Sequence, residues 1–183
     1  MPLSRMFPQI VVLVIALLGN TVSANAVLSR NYHPYSGEYG TPAGTAFSSS
    51  GEHLCGPITG FRVWEGSSSY ITGIQLEFSN TWSNKHGIDT SKMHEVLLFP
   101  EEYITQVSGK DDTYIYQLIF VTSLGRIFFF GQPSGYSFNA FPGQKSNVLL
   151  FISGHSDAYA LRGIGFHWDV PVSPVRDCRS VRG

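Results

Sequence analysis

The chain has 183 residues, of which 43% are hydrophobic and 14% are charged, and its formal net charge at pH 7 is −1. So balanced a charge produces no global field that would attract a nucleic acid, and nucleic-acid binding is not expected. A chain of this length fits one domain with a sizeable core.

The N-terminal segment has the layout of a secretory signal peptide. Arg5 precedes the short apolar run IVVLVIALLG, and the small residues of TVSANA follow it. The apolar run is too short to span a bilayer, and no later run is long enough. We therefore expect residues 1–24 to be a signal peptide, with position 26 as the alternative cleavage point, and we expect a secreted product without a membrane span.

Strand signals follow one another through the rest of the chain. Apolar and polar residues alternate, and turn sequences such as EGSSS, GKDD and PSG separate the runs. The 13 Phe and 9 Tyr suit half-buried pleated surfaces. Because no long segment shows a helical period with caps, the pattern predicts an all-β sandwich, barrel or prism. The predicted strands are 58–64, 70–78, 93–99, 103–109, 114–123, 126–131, 148–154 and 163–170.

The two cysteines, Cys55 and Cys178, bear on the compartment and on metal binding. In an oxidising compartment an isolated pair usually forms one disulfide, and two free or intermolecular thiols are the alternative. Two cysteines this far apart match no zinc spacing, so no metal or other cofactor is expected. The scattered Ser, His and acidic residues form no nucleophile–base–orienter set, so an enzyme is not expected either.

Six blocks of sequence, in order, carry a family resemblance. They are YSGEYG, GPITGFRV, TWSN, ITQVSGK, SGYSFNAFPG and LLFISG…GIGFHWDV. Together they resemble the zymogen granule protein 16 branch of the jacalin-related lectins, over essentially the whole chain up to about Val170. The resemblance implies a β-prism I domain at residues 32–170, with three four-stranded Greek-key sheets in pseudo-threefold symmetry, and a C-terminal tail at 171–183. It also implies a secreted or secretory-granule location, binding of mannose-type glycans and no catalysis.

In that family three loops at one end of the prism bind the sugar. The resemblance assigns the glycine-rich loop to residues 40–46, the recognition loop to 110–113 and the ligand loop to GHSDAYALR at 154–162. The expected carbohydrate-binding residues are Gly44, Lys110, Asp111, Gly154, His155, Ser156, Asp157, Tyr159, Ala160, Leu161 and Arg162.

The ligand loop departs from the family pattern. One extra residue places Arg162 where the family has its aspartate, and a guanidinium has no lone pair to accept a sugar hydroxyl proton. Asp157 either reaches the sugar in place of that aspartate or serves as a loop or Asx-turn residue. Arg162 binds an acidic glycan, pairs with Asp157 or stays in solvent.

These features lead to two hypotheses about function. The first is a secreted lectin that weakly binds mannose-type or related glycans, including microbial cell-wall glycans. The second is a degenerate lectin fold that acts as a structural or protein-interaction module. In both cases Asp111 and Asp112 disfavour sulfated polyanions, as does the absence of basic residues directly after the glycine-rich loop.

Overall fold

A computed structural model describes residues 34–67, 70–90 and 92–173. The chain divides into two units, Met1–Tyr32 and His33–Gly183. All the described residues lie in the second unit, and these described residues form strands and one 3-10 turn, Glu52–Cys55. The strands are β1 (Tyr35–Gly40), β2 (Thr45–Ser48), β3 (Ile58–Glu65), β4 (Ile71–Phe78), β5 (Thr81–Trp82), β6 (His86–Gly87), β7 (Lys92–Leu97), β8 (Ile104–Asp111), β9 (Ile115–Thr122), β10 (Ile127–Gly131), β11 (Tyr136–Ala140), β12 (Val148–Ser156) and β13 (Leu161–Asp169).

The strands form three antiparallel sheets of the same plan. Their orders are β1-β13-β12-β2, β10-β9-β8-β11 and β5-β4-β3-β7. In the last sheet β6 also pairs with β4, so two short strands share one edge position. Each sheet has a central hairpin with an outer strand on each side, and this four-stranded arrangement occurs three times. The predicted all-β prism with three four-stranded sheets is therefore confirmed.

The core lies between the three sheets and is dominated by aromatic and branched side chains. Phe61 and Phe120 are both fully buried, and their rings are 4.6 Å apart. Trp168 is 1% exposed, and the centre of its ring lies 6.3 Å from the centre of the Phe166 ring. Along β9 the buried residues Leu118, Phe120 and Thr122 alternate with partly exposed ones, as a sheet with one solvent face requires.

The eight predicted strands correspond to β3, β4, β7, β8, β9, β10, β12 and β13, with ends shifted by a few residues. Five short outer strands, β1, β2, β5, β6 and β11, were not predicted as strands. The predicted signal peptide lies outside the described residues, and so do Cys178 and most of the tail, so the Cys55–Cys178 disulfide stays a prediction. In the described part of the chain, no helix is long and apolar enough to cross a membrane.

Candidate functional site

Within the ligand loop, residues 157–160 form a four-residue turn between β12 and β13. The Oδ1 atom of Asp157 accepts hydrogen bonds from the backbone N–H groups of Tyr159 and Ala160, at 2.8 and 3.1 Å. The Asp157 N–H donates to the carbonyl oxygen of Ala160 at 3.1 Å. This is an Asx-type turn, in which a carboxylate organises the backbone that follows it. Two of the loop N–H groups are therefore already bonded to Asp157.

The second carboxylate oxygen of Asp157 is also occupied. Its Oδ2 accepts from the Tyr114 hydroxyl at 3.1 Å and from Arg162 Nη1 at 3.2 Å. Burial alone would raise the pKa of the Asp157 carboxyl, but its hydrogen bonds from the two loop N–H groups, Arg162 and Tyr114 lower the pKa below its ordinary value. The carboxylate is thus ionised and accepts four hydrogen bonds from the protein itself.

Arg162 faces Asp157 and the Tyr114 ring. Its guanidinium carbon lies 4.9 Å from the centre of that ring, a cation–π distance. The Arg162 side chain is 22% exposed, and its buried Nε has no hydrogen-bond partner among the described residues. Of the alternatives that the sequence leaves open for Arg162, the structure contains the ion pair with Asp157.

The glycine-rich segment between β1 and β2 packs directly on the ligand loop. The Thr41 N–H donates to the carbonyl oxygen of Arg162 at 2.8 Å, and the Thr41 hydroxyl donates to the carbonyl oxygen of Asp112 at 3.2 Å. Gly44 has φ +104°, and a methyl group there would overlap the carbonyl oxygen of Ser156. The close approach that glycine permits is therefore used for contact between the two loops, and Thr41 joins all three loops at one end of the sheets.

The recognition loop is shorter than the resemblance implies, because Lys110 and Asp111 are the last residues of β8. Lys110 donates from Nζ to Ser137 Oγ on β11 at 2.8 Å. Burial raises the pKa of the Asp111 carboxyl; a hydrogen bond from the Gly40 N–H opposes this rise, and the nearby charge of Asp112 adds to it. Both side chains therefore interact within the fold rather than projecting as free ligand contacts.

The remaining predicted site residues lie in the flanking strands or under the turn. Gly154 and Ser156 belong to β12, and His155 Nδ1 lies 2.7 Å from Glu38 Oε1 on β1. Ala160 and Leu161 are fully buried. Tyr159 differs from all of these, since it is 70% exposed at the tip of the loop.

A cleft of about 200 Å³ lies beside Tyr159, between the ligand loop and the β3–β4 turn. Tyr70 and Thr90 contribute to its walls. The Tyr70 ring lies 4.8 Å from the ring of Tyr114, which connects this wall to the Asp157 cluster. Neither Tyr70 nor Tyr114 was predicted from the sequence as a site residue. The only signal for them was that aromatic residues occur next to predicted turns.

Among residues 34–67, 70–90 and 92–173, no cluster of three or more His, Cys, Asp or Glu side chains is placed to hold a metal ion. The chemistry that the loop end offers is hydrogen bonding and aromatic contact. These are the interactions by which proteins bind polyhydroxylated ligands without a metal.

Comparisons with known proteins agree with this architecture. The chain is 43% identical to human zymogen granule membrane protein 16 over 170 residues, which cover 93% of this chain and 100% of that protein. A solved prostate-specific WGA16 glycoprotein lectin superposes with a TM-score of 0.67 at 34% identity, covering 75% of this chain and 99% of that one. The artocarpin–mannotriose complex superposes with a TM-score of 0.64 at 20% identity, covering 75% and 98%, and shows likeness of fold alone.

The Jacalin-like lectin domain family matches residues 36–167, a range that begins in β1 and ends in β13. The match thus includes all three sheets and all three loops described above. With three antiparallel sheets of this plan and loops that converge at one end, the chain belongs to the jacalin-like lectin domain family.

Proposed function

We propose that this protein is a secreted lectin that binds glycans weakly through the loop end of the prism, without catalysis. The observation that supports this most directly is the convergence of the three loops around Asp157, which leaves Tyr159 70% exposed beside a cleft. An exposed tyrosine provides a flat apolar face for a sugar ring and a hydroxyl for its polar edge. The small cleft suits one ring, and useful affinity then requires clustered glycans.

The proposed specificity is shifted away from simple mannose. A carboxylate that accepts protons from two vicinal hydroxyls must have free lone pairs, and the Asp157 carboxylate already accepts four hydrogen bonds. The proposed ligands are mannose-type or related glycans, including microbial cell-wall glycans, whose recognition rests on Tyr159 and on the cleft beside it. Asp111 and Asp112 at the same end disfavour sulfated polyanions.

The proposed location is the secretory pathway, either the extracellular space or a secretory granule. The N-terminal sequence supports this, and so does the 43% identity to relatives named zymogen granule membrane protein 16.

A second candidate function is a structural or protein-interaction module without sugar binding. The saturated Asp157 carboxylate favours it, since the ion pair with Arg162 occupies the place of the family's acidic acceptor. Under this alternative an Arg162→Asp change, which puts a carboxylate back at that position, creates mannose binding in a protein that otherwise has none.

The test compares retention on a glycan array and on yeast mannan for the wild-type protein, Tyr159→Ser and Leu124→Ser. Leu124 is 60% exposed in the β9–β10 turn, away from the three loops, so its variant is the matched control. We expect the wild type and Leu124→Ser to bind alike and Tyr159→Ser to bind about tenfold more weakly, as loss of one aromatic contact implies. No binding of any glycan by folded wild-type protein would refute the lectin proposal.

A further inference from the structure

The outer strands β7 and β10 belong to neighbouring sheets and meet along one corner of the prism. An open groove of about 650 Å³ follows them, lined by residues 93–96 and 127–130. Four large apolar side chains on this corner are strongly exposed. They are Met93 at 46%, Leu97 at 56%, Ile127 at 52% and Phe129 at 65%.

The backbone of β10 has unpaired hydrogen-bonding groups on this side. The Arg126 carbonyl and the Gln132 N–H bond to β9, so the even-numbered residues between them face β9. The N–H and C=O groups of Ile127 and Phe129 therefore point away from β9, and no described residue pairs with them. The next outward N–H, that of Gly131, donates to Glu65 Oε1 at 3.0 Å.

The other two corners are closed by contacts between sheets. Tyr39 of β1 stacks on Phe138 of β11 at 4.5 Å, and its hydroxyl donates to the Asn139 carbonyl. Phe47 of β2 stacks on His86 of β6 at 4.4 Å. Natural sheet edges are usually guarded by charges, prolines, bulges or cover. β10, with the sequence IFFFG, has no charge, no proline and no bulge against β9.

We propose that β10 pairs antiparallel with β10 of a second copy of this chain, so that two four-stranded sheets become one continuous eight-stranded sheet. A twofold axis at Phe128 places Ile127 of one copy opposite Phe129 of the other. This register uses the N–H and C=O groups of Ile127 and Phe129 on both copies and leaves the Gly131–Glu65 hydrogen bond intact. It also forms two apolar cross-strand pairs.

A second copy fits this edge better than an unrelated partner because the strand is self-complementary. Residues 127–131 have no charge, so antiparallel self-pairing opposes no like charges. The flanking Arg126 is already paired with Glu102, and its Nη2 donates to the Leu97 carbonyl at 3.0 Å. The positive charge next to the strand is thus neutralised within each copy.

The proposed pairing determines where the loops point. β10 runs toward the loop end, since the segment after it brings Gly135 against the carbonyl oxygen of Asp111. Antiparallel partners therefore carry their loop clusters at opposite ends of the dimer. Such a dimer bridges two surfaces rather than binding one surface twice.

Sedimentation equilibrium of the protein over a wide concentration range tests the assembly. We expect a reversible dimer for the wild type, and a dissociation constant raised about tenfold or more by Phe129→Lys, which buries a charge on each copy. Tyr136→Lys is the control, because Tyr136 is 75% exposed on β11, the other edge of the same sheet. Circular dichroism and melting temperature verify that both variants fold.

Cysteine crosslinking tests the register. Residues opposite each other in a hydrogen-bonded antiparallel pair have Cα atoms about 5.5 Å apart, within reach of a disulfide. Equal amounts of Ile127→Cys and Phe129→Cys chains, mixed and oxidised, should crosslink much faster than either variant alone, because each cysteine faces the other variant's position. A monomeric wild type would overturn the proposal, and so would a dimer that withstands Phe129→Lys or a mixture that crosslinks no faster than the single variants. A monomer would leave the groove to a partner of different chemistry.

Discussion

At the scale of single residues, Asp157 shows how the hydrogen-bonding capacity of a loop carboxylate can be used within its own fold. Its carboxylate holds the backbone of its own turn through Tyr159 and Ala160, and it ties that turn to Tyr114 and Arg162. A carboxylate used in this way stabilises the loop and is unavailable to a ligand. The loop shape therefore depends on the Asp157 carboxylate.

Replacing Asp157 measures this structural role. Asp157→Ala removes all four hydrogen bonds and should lower the free energy of unfolding by about 1.5–3 kcal/mol, the range for hydrogen bonds to charged groups. Asp157→Asn retains an oxygen that accepts from the N–H groups of Tyr159 and Ala160, so it should lose less than half as much. Urea unfolding of both variants provides the comparison. Equal stability of Asp157→Ala and wild type would show that the carboxylate does not hold the turn.

At the scale of elements, the β1–β2 connection and the ligand loop depend on contact between their backbones. Gly44 combines a positive φ of +104° with a position against the Ser156 carbonyl. An L side chain there meets both a conformational cost and a steric overlap. This contact holds the glycine-rich segment beside the turn that Asp157 organises.

Three glycine variants separate these two costs. Gly143→Ala lies in open space without a positive φ and should leave the melting temperature nearly unchanged. Gly125 also faces open space but has φ +78°, so Gly125→Ala should lower the free energy of unfolding by about 1 kcal/mol. Gly44→Ala should lower the free energy of unfolding by clearly more than that, because the Ser156 carbonyl must also move. Calorimetry ranks the three, and a Gly44→Ala variant as stable as Gly125→Ala would contradict close packing of the two loops.

At the scale of the whole molecule, the Glu102–Arg126 ion pair lies at the end opposite the loops, beside β8 and β10 of one sheet, and Arg126 links it to β7 of the next sheet. Glu102 lies just before β8, and its side chain is fully buried. It accepts a hydrogen bond at 2.8 Å from the Nε atom of Arg126, which lies just before β10. Arg126 also bonds to the carbonyl at the end of β7. Hydrogen bonds from Arg126 outweigh the effect of burial and lower the pKa of Glu102 from 4.5 to about 2.

This ion pair predicts an acid-dependent loss of stability. Because the folded-state pKa of Glu102 is below its unfolded-state value, its contribution is complete above pH 4.5 and disappears as the pH falls toward about 2. Glu102→Gln should lower the free energy of unfolding at pH 7 by about 1.5–3 kcal/mol and should remove most of this pH dependence. Urea unfolding between pH 7 and pH 2 measures both effects. If the free energy of unfolding fell equally with pH in the variant and the wild type, other carboxyl groups would be responsible for the loss of stability in acid.

The long central strands and the outer strands β7 and β10 could be predicted from the sequence, whereas the outer strands β1, β2, β5, β6 and β11 could not. β3, β4, β8, β9, β12 and β13 have eight or nine residues each, which is long enough for alternation to be visible. β5 and β6 have two residues each, and β2 has four. Strands this short are strands only because a neighbour pairs with them, so their own sequence contains no sufficient signal.

By itself, the sequence determined the all-β class through alternation along the chain, and its resemblance to the jacalin-related lectins indicated the family and the three segments that meet at the loop end. It left open whether Asp157 faces a ligand or its own loop. Tertiary structure decided this, since Tyr114, which is 43 positions away in the chain, and Arg162 both reach the same carboxylate oxygen. The hydrogen bonds that a charged group accepts depend on all the donors around it in space. Those donors are brought together only when the three sheets have assembled.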